Sequence, residues 1–178
     1  MLLDLKRWLL LVALTSTNSF AVDVDQTNIR IYGEILGPSC QVKQEDLYVE
    51  FGTLTNKDLI WHGQSISQDF NIEFECETAD SYDVAITFTG QETFYSDLQR
   101  LIIINGDTPS NPWGVAIQLT DTNGRSIPIN AETETYQIKD NSILNFKAYV
   151  KASQNAINNK NIRLGEFESV ANFLVEYQ

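Results

Sequence analysis

The last ten residues, Ser169–Gln178, read "SVANFLVEYQ", and they decide how the rest of the chain is understood. Ala171, Phe173, Val175 and Tyr177 alternate with Asn172, Leu174, Glu176 and Gln178, the period of a β-strand with one face toward a core. A core strand needs a neighbour on each side or protection at its edge. No residues follow that could cover this one, so the covering strand is expected from another molecule.

Working back from that end, period-two alternation recurs with turn residues between the runs. Ile29, Ile31, Gly33 and Ile35 form one run, followed by Leu47, Val49 and Phe51, and then by Phe70, Ile72, Phe74 and Cys76. Val84, Ile86 and Phe88 come next, then Leu101 to Ile104, then Val115, Ile117 and Leu119. Asn123-Gly124 marks a tight turn into Ile127 and Ile129, and Leu144, Phe146, Ala148 and Val150 precede the closing run. No long helical period is visible, and "SQNAINNKN", Ser153–Asn161, reads as a loop. Strands at this spacing predict an all-β antiparallel sandwich.

The chain has 178 residues, enough for one domain with a sizeable core. Its first 21 residues are expected to be a secretory signal peptide. Lys6 and Arg7 precede the apolar run Trp8 to Leu14, and Ser19-Phe20-Ala21 forms a small-x-small cleavage site. A membrane span would need roughly 20 apolar residues. Removal of Asp4, Lys6 and Arg7 takes the formal charge from −12 to −13, which argues against nucleic acid as a partner and fits a solvated acidic surface.

Two cysteines, Cys40 and Cys76, in an exported chain predict one disulfide, the alternative being metal or catalytic chemistry. No C-x-x-C is present, and the single histidine, His62, has no ligand partners at zinc spacing, so neither metal nor cofactor is expected. Catalytic groupings fail in the same way. Glu73, Glu75 and Glu77 alternate with Phe74 and Cys76, so they form the wet face of a strand, and Glu132 and Glu134 read similarly. No nucleophile elbow surrounds a serine near His62, and no Gly-rich phosphate loop occurs, so the chain is not read as an enzyme.

The segment "VDVDQTNIRIYGEIL", Val22–Leu36, alternates but has no hairpin partner close in sequence. One end of the chain thus lacks a strand while the other offers one. Such head-to-tail donation is a heterologous contact that need not close, and it builds filaments.

In these features the chain resembles the pilin subunits that the chaperone-usher pathway of Gram-negative bacteria assembles. The resemblance spans the mature chain. It rests on the alternating extension with Gly33 seven residues before Cys40, the cysteine pair, the segment "GVAIQLTDTNG", Gly165 about 14 residues from the C-terminus, and the penultimate Tyr177.

The resemblance implies an incomplete immunoglobulin-like sandwich that lacks its last strand and is completed by donor-strand complementation. A periplasmic chaperone would lend a strand first, and at the outer-membrane usher the next subunit's extension would replace it on the way to a surface fimbria. Residues 1–21 would then be the signal peptide, 22–36 the donor extension and 37–178 the pilin domain. By position, Thr27, Ile29, Ile31, Gly33 and Ile35 would be the donor residues, with Thr27 departing from the usual apolar choice and filling a shallower pocket. Gly165, Ala171, Phe173, Val175, Tyr177 and Gln178 would mark the acceptor groove and chaperone-binding strand.

The mature length leaves no room for a tip adhesin's lectin domain, so a rod or minor adaptor subunit is expected, with a terminating subunit as the alternative. Two other classes compete. A secreted carbohydrate-binding module could use Trp61 or Trp113 as a stacking platform, although Trp113 beside the Val115 to Leu119 run reads as packing. A periplasmic assembly chaperone would need two sandwich domains and is commonly basic, so length and charge oppose it.

Overall fold

The computed structural model describes residues 30, 32, 40–44, 46–77 and 80–178. The expected signal peptide and the donor positions Thr27, Ile29, Ile31, Gly33 and Ile35 lie outside the described residues. Leu36–Gln178 forms one compact unit.

Ten strands and two short helices make up the described part of this unit. In chain order they are β1 (Cys40–Val42), α1 (Asn56–His62), β2 (Gln68–Cys76), β3 (Tyr82–Gly90), β4 (Ile102–Ile103) and β5 (Val115–Asp121). These are followed by β6 (Ser126–Ile127), β7 (Ala131–Glu132), β8 (Tyr136–Ile138), β9 (Ile143–Ala152), α2 (Gln154–Asn159) and β10 (Ala171–Tyr177). One sheet runs β1-β2-β9-β5-β4 with β6 also on β5, and the other runs β10-β3-β7 with β8 also on β3. Every pairing is antiparallel.

The alternation read from the sequence becomes the core. Val84, Ile86 and Phe88 of β3 face Ile72 and Phe74 of β2 and Phe146, Ala148 and Val150 of β9 within one buried cluster. Phe146 is the hub: Phe88 and Tyr136 meet it edge-on at 5.4 and 5.9 Å, and Phe70 stacks on it at 5.6 Å. Strand β5 lies between β9 and the β4/β6 edge and is buried throughout, even at Gln118. That amide is satisfied locally, donating from Nε2 to the Leu119 carbonyl at 2.9 Å and to Ser126 Oγ at 2.6 Å, as a buried polar group must be.

Two readings change. Leu47, Val49 and Phe51 do not form a strand, because their backbone has no ladder partner among the described residues, although their side chains still pack on the core. Part of "SQNAINNKN" is helical: α2 starts where the Gln154 N–H donates to Asp97 Oδ2 at 2.6 Å and buried Ser153 donates from Oγ to Asp97 Oδ1 at 3.2 Å. A carboxylate distant in sequence thus satisfies the first turn. The first helix, α1, is capped by Thr55, whose Oγ1 accepts the Asp58 N–H at 3.1 Å, and by left-handed Gly63.

Candidate functional site

The predicted disulfide is formed. Cys40 and Cys76 sit directly opposite each other in the β1/β2 register, with S–S at 2.04 Å, and no free cysteine remains. This ties β1 to the sandwich at the point where the described domain begins.

At the other edge, β10 pairs with β3 along its whole length, from Ala171 opposite Gly90 to Tyr177 opposite Val84. On its second side β10 has no strand among the described residues. The pleat sends Ala171, Phe173 and Val175 toward the core, where all three remain only partly buried, and Phe173 meets Phe88 at 6.3 Å. Leu174, on the opposite face, is 54% exposed.

Facing this edge is the segment from β1 through Phe51. Val42, Leu47, Val49 and Phe51 are also only partly buried on the same core. The two borders touch at both ends. Tyr177 donates from its hydroxyl to the Cys40 carbonyl at 2.8 Å, and the rings of Phe51 and Phe167 lie 6.0 Å apart. Cys40 therefore lies opposite Tyr177 and Phe51 opposite Phe167, so the borders run in opposite directions along one half-covered apolar stripe. Among the described residues, one border is an edge strand with no ladder partner on its outer side; the other is laddered to β2 only through β1 and Lys43, whose N–H donates to the Glu73 carbonyl at 2.9 Å, and makes no ladder over residues 46–51. That arrangement can hold an extended peptide through backbone hydrogen bonds, with alternate side chains entering the stripe.

The residues expected at the groove divide in two. Ala171, Phe173, Val175 and Tyr177 lie together on β10. Tyr177 is 37% exposed and packs edge-on against Tyr82 at 6.1 Å; partial burial, with Tyr82 adding to it, raises its hydroxyl pKa. Gln178 extends the β3 side instead, donating from its main chain to the Asp83 carbonyl at 2.9 Å and from Nε2 to Glu132 Oε1 at 2.7 Å. Gly165 lies before β10, over the indole of Trp113, where an added Cβ would stand 3.5 Å from Cη2.

Sequence reasoning did not single out the hydrogen-bonded support under that turn. Trp113 is 6% exposed, as its packing role requires, and the Arg163 guanidinium sits 4.5 Å from its ring centroid. Asp107, equally buried, accepts at Oδ1 from the Trp113 N–H at 2.8 Å and from the Tyr95 hydroxyl at 3.1 Å. The same Tyr95 oxygen accepts from the Gly114 N–H at 2.6 Å. Burial pushes the Tyr95 hydroxyl up to about 12 and raises Asp107 against the hydrogen bonds that favour its ionised form. In the sequence, neither Phe94-Tyr95 nor the run from Asp107 to Gly114 carries a motif that reveals this cluster.

No group of three or more His, Cys, Asp or Glu side chains that could hold a metal ion exists among the described residues. Glu75 and Glu77 are exposed, Glu73 is partly so, and Glu134 pairs with Arg125 at the surface. These carboxylates do not converge on a cavity.

Comparison with known proteins gives one answer. Residues 29–178 match the family described as "Fimbrial protein". The chain is 27% identical over 172 residues to PmfF of Proteus mirabilis (strain HI4320), which is designated a minor fimbrial subunit, covering 94% of this chain and 93% of that one. It is 28% identical over 179 residues to the fimbrial adapter PapK of Escherichia coli, covering 96% of each. Among solved structures, the P pilus rod subunit PapA superposes with a TM-score of 0.64 at 27% identity, over 78% of this chain and 99% of PapA. With a family match that runs from residue 29 to the end of β10, the chain belongs to the fimbrial protein family.

Proposed function

We propose that this chain, a structural subunit of a fimbria, polymerises by receiving a β-strand from another subunit in the groove between β10 and the β1–Phe51 segment, and by donating its own residues 22–36 to the next. The observation that carries this reading is the pair of borders around one apolar stripe with no strand between them among the described residues, joined at Tyr177–Cys40 and at Phe51–Phe167. A single extended segment would complete the ladder of β10 and cover Ala171, Phe173 and Val175. Isoleucines 29, 31 and 35 would each contribute roughly 1.5–3 kcal/mol on full burial. Gly33 would let the donor backbone pass where the groove is narrow.

Exposed ladder groups beside an apolar stripe invite aggregation, so a periplasmic chaperone that lends a strand is the expected first occupant, and an outer-membrane usher the place of exchange. The likeness to PmfF and PapK supports a minor or adaptor position, and that to PapA a place in a rod. The carbohydrate-binding alternative loses Trp113, which is buried, and keeps only Trp61, 76% exposed.

Deleting residues 22–33 tests the polarity of assembly. The shortened subunit should still bind a donor strand and appear at the end of a growing oligomer, yet fail to cap the next subunit. Undiminished chain growth by the deletion variant would reject residues 22–36 as the donor.

A further inference from the structure

The sequence contains two Asn-Gly pairs, Asn105-Gly106 and Asn123-Gly124, both exposed in turns, and the fold treats them differently. Asn-Gly is the pairing most prone to succinimide chemistry, because glycine places no side chain between its own nitrogen and the preceding amide carbon. The reaction needs the glycine N–H free, since that nitrogen must lose its proton and turn toward the asparagine Cγ.

At the second pair it is not free. Gly124 N–H donates to the Asp121 carbonyl at 3.1 Å. Asp121 Oδ1 also accepts from the N–H groups of Asn123 at 2.9 Å and Arg125 at 2.8 Å, and Oδ2 accepts from Arg125 Nε at 2.7 Å. This turn is pinned on every side. At the first pair the flanking groups are tied while the reacting one is not. Asn105 N–H donates to the Glu168 carbonyl at 2.8 Å and Asp107 N–H to the Ile104 carbonyl at 3.0 Å, but Gly106 N–H makes no hydrogen bond among the described residues.

We propose that Asn105 is a self-modification site that deamidates in the folded subunit, while Asn123 is protected by its turn. Hydroxide removes the Gly106 amide proton and the nitrogen attacks Asn105 Cγ. The Cγ–Nδ2 bond breaks, releasing ammonia. Water then opens the succinimide at either carbonyl, giving aspartate or isoaspartate, so that asparagine and water become acid and ammonia with no redox change. The isoaspartate route lengthens the main chain by one methylene between two anchored amides. It does so where the turn holds the approach to β10, through Asn105 to Glu168 and through Ser169 Oγ to the Ile103 carbonyl. The modification therefore marks subunit age at the support of the strand that borders the groove.

Tryptic peptide Leu101–Arg125 contains both pairs, so fragment-ion sequencing of that peptide compares them internally after incubation of the intact oxidised protein at mildly alkaline pH. Conversion at Asn105 should exceed that at Asn123 by about tenfold, the factor one retained hydrogen bond supplies. In the reduced, urea-denatured chain the two should convert alike. Equal or greater conversion at Asn123 in the folded protein would overturn the proposal. So would a preference for Asn105 that persists after denaturation, because flanking residues rather than the fold would then be its cause.

Discussion

Replacing Gly114 by alanine tests how the support of the groove is built. Gly114 has φ of 79°, and an added Cβ would lie 2.6 Å from the Ala156 Cβ of α2, closer than carbon atoms can approach without movement. Left-handed backbone costs a non-glycine residue about 1–2 kcal/mol. Forcing α2 away from β5 adds about 1–3 kcal/mol of overpacking. The sum, about 2–5 kcal/mol, is a large share of a domain's stability. Gly52 is the internal control: its φ is 63°, but nothing lies within 4 Å of its added Cβ, so Gly52→Ala should show only the backbone part. Urea unfolding of both variants, followed by tryptophan fluorescence in the strand-completed protein, separates the two effects. Equal midpoint shifts for Gly114→Ala and Gly52→Ala would refute the claim that α2 is packed against Gly114.

Three further outcomes follow from the same geometry. Breaking the Cys40–Cys76 bond, which spans 36 residues, should lower stability by about 3–4 kcal/mol on the chain-entropy account, read as the difference in urea midpoint between oxidised and reduced protein. Phe173→Ala should cost more in the strand-filled subunit than in the empty one, by about 1 kcal/mol, because the remaining exposed ring surface is buried only when the groove is occupied; equal costs would place Phe173 outside the groove. Burial raises the Asp107 pKa in the fold, so the folded state binds its proton more tightly than the unfolded chain. The stability linked to this group is therefore present at low pH and lost as pH rises through the carboxylate range. In Asp107→Asn that part of the pH slope should disappear, as unfolding midpoints across acidic to neutral pH will show.

The sandwich was legible because its strands are amphipathic: Val84, Ile86 and Phe88, or Phe146, Ala148 and Val150, could face only one way. The disulfide was legible from an even cysteine count in a chain whose first 21 residues read as a signal peptide. Helix α2 was not, since its first turn is satisfied by Asp97, a partner that only the fold brings near. Segment 46–51 misled in an instructive way. Its alternation is that of a strand and its side chains do reach the core, but a ladder needs a second backbone, and none of the described residues provides one. Of the groove, the β10 border could be read directly, whereas the facing border and the Asp107–Tyr95–Trp113 support depend on contacts between distant parts of the chain. The donor residues remain a reading of residues 22–36 by pattern and resemblance.

The most direct test of strand completion is thermal melting of two forms of the mature chain at equal concentration, one unaltered and one carrying a second copy of Val22–Leu36 fused after Gln178 through a flexible linker. If the groove between β10 and the β1–Phe51 segment is an unfilled strand position, the fused form should be monomeric and melt at least about 10 °C higher, the shift expected when several buried isoleucines stabilise a domain of this size. An unaltered chain that is already monomeric and melts at the same temperature as the fused form would contradict the account.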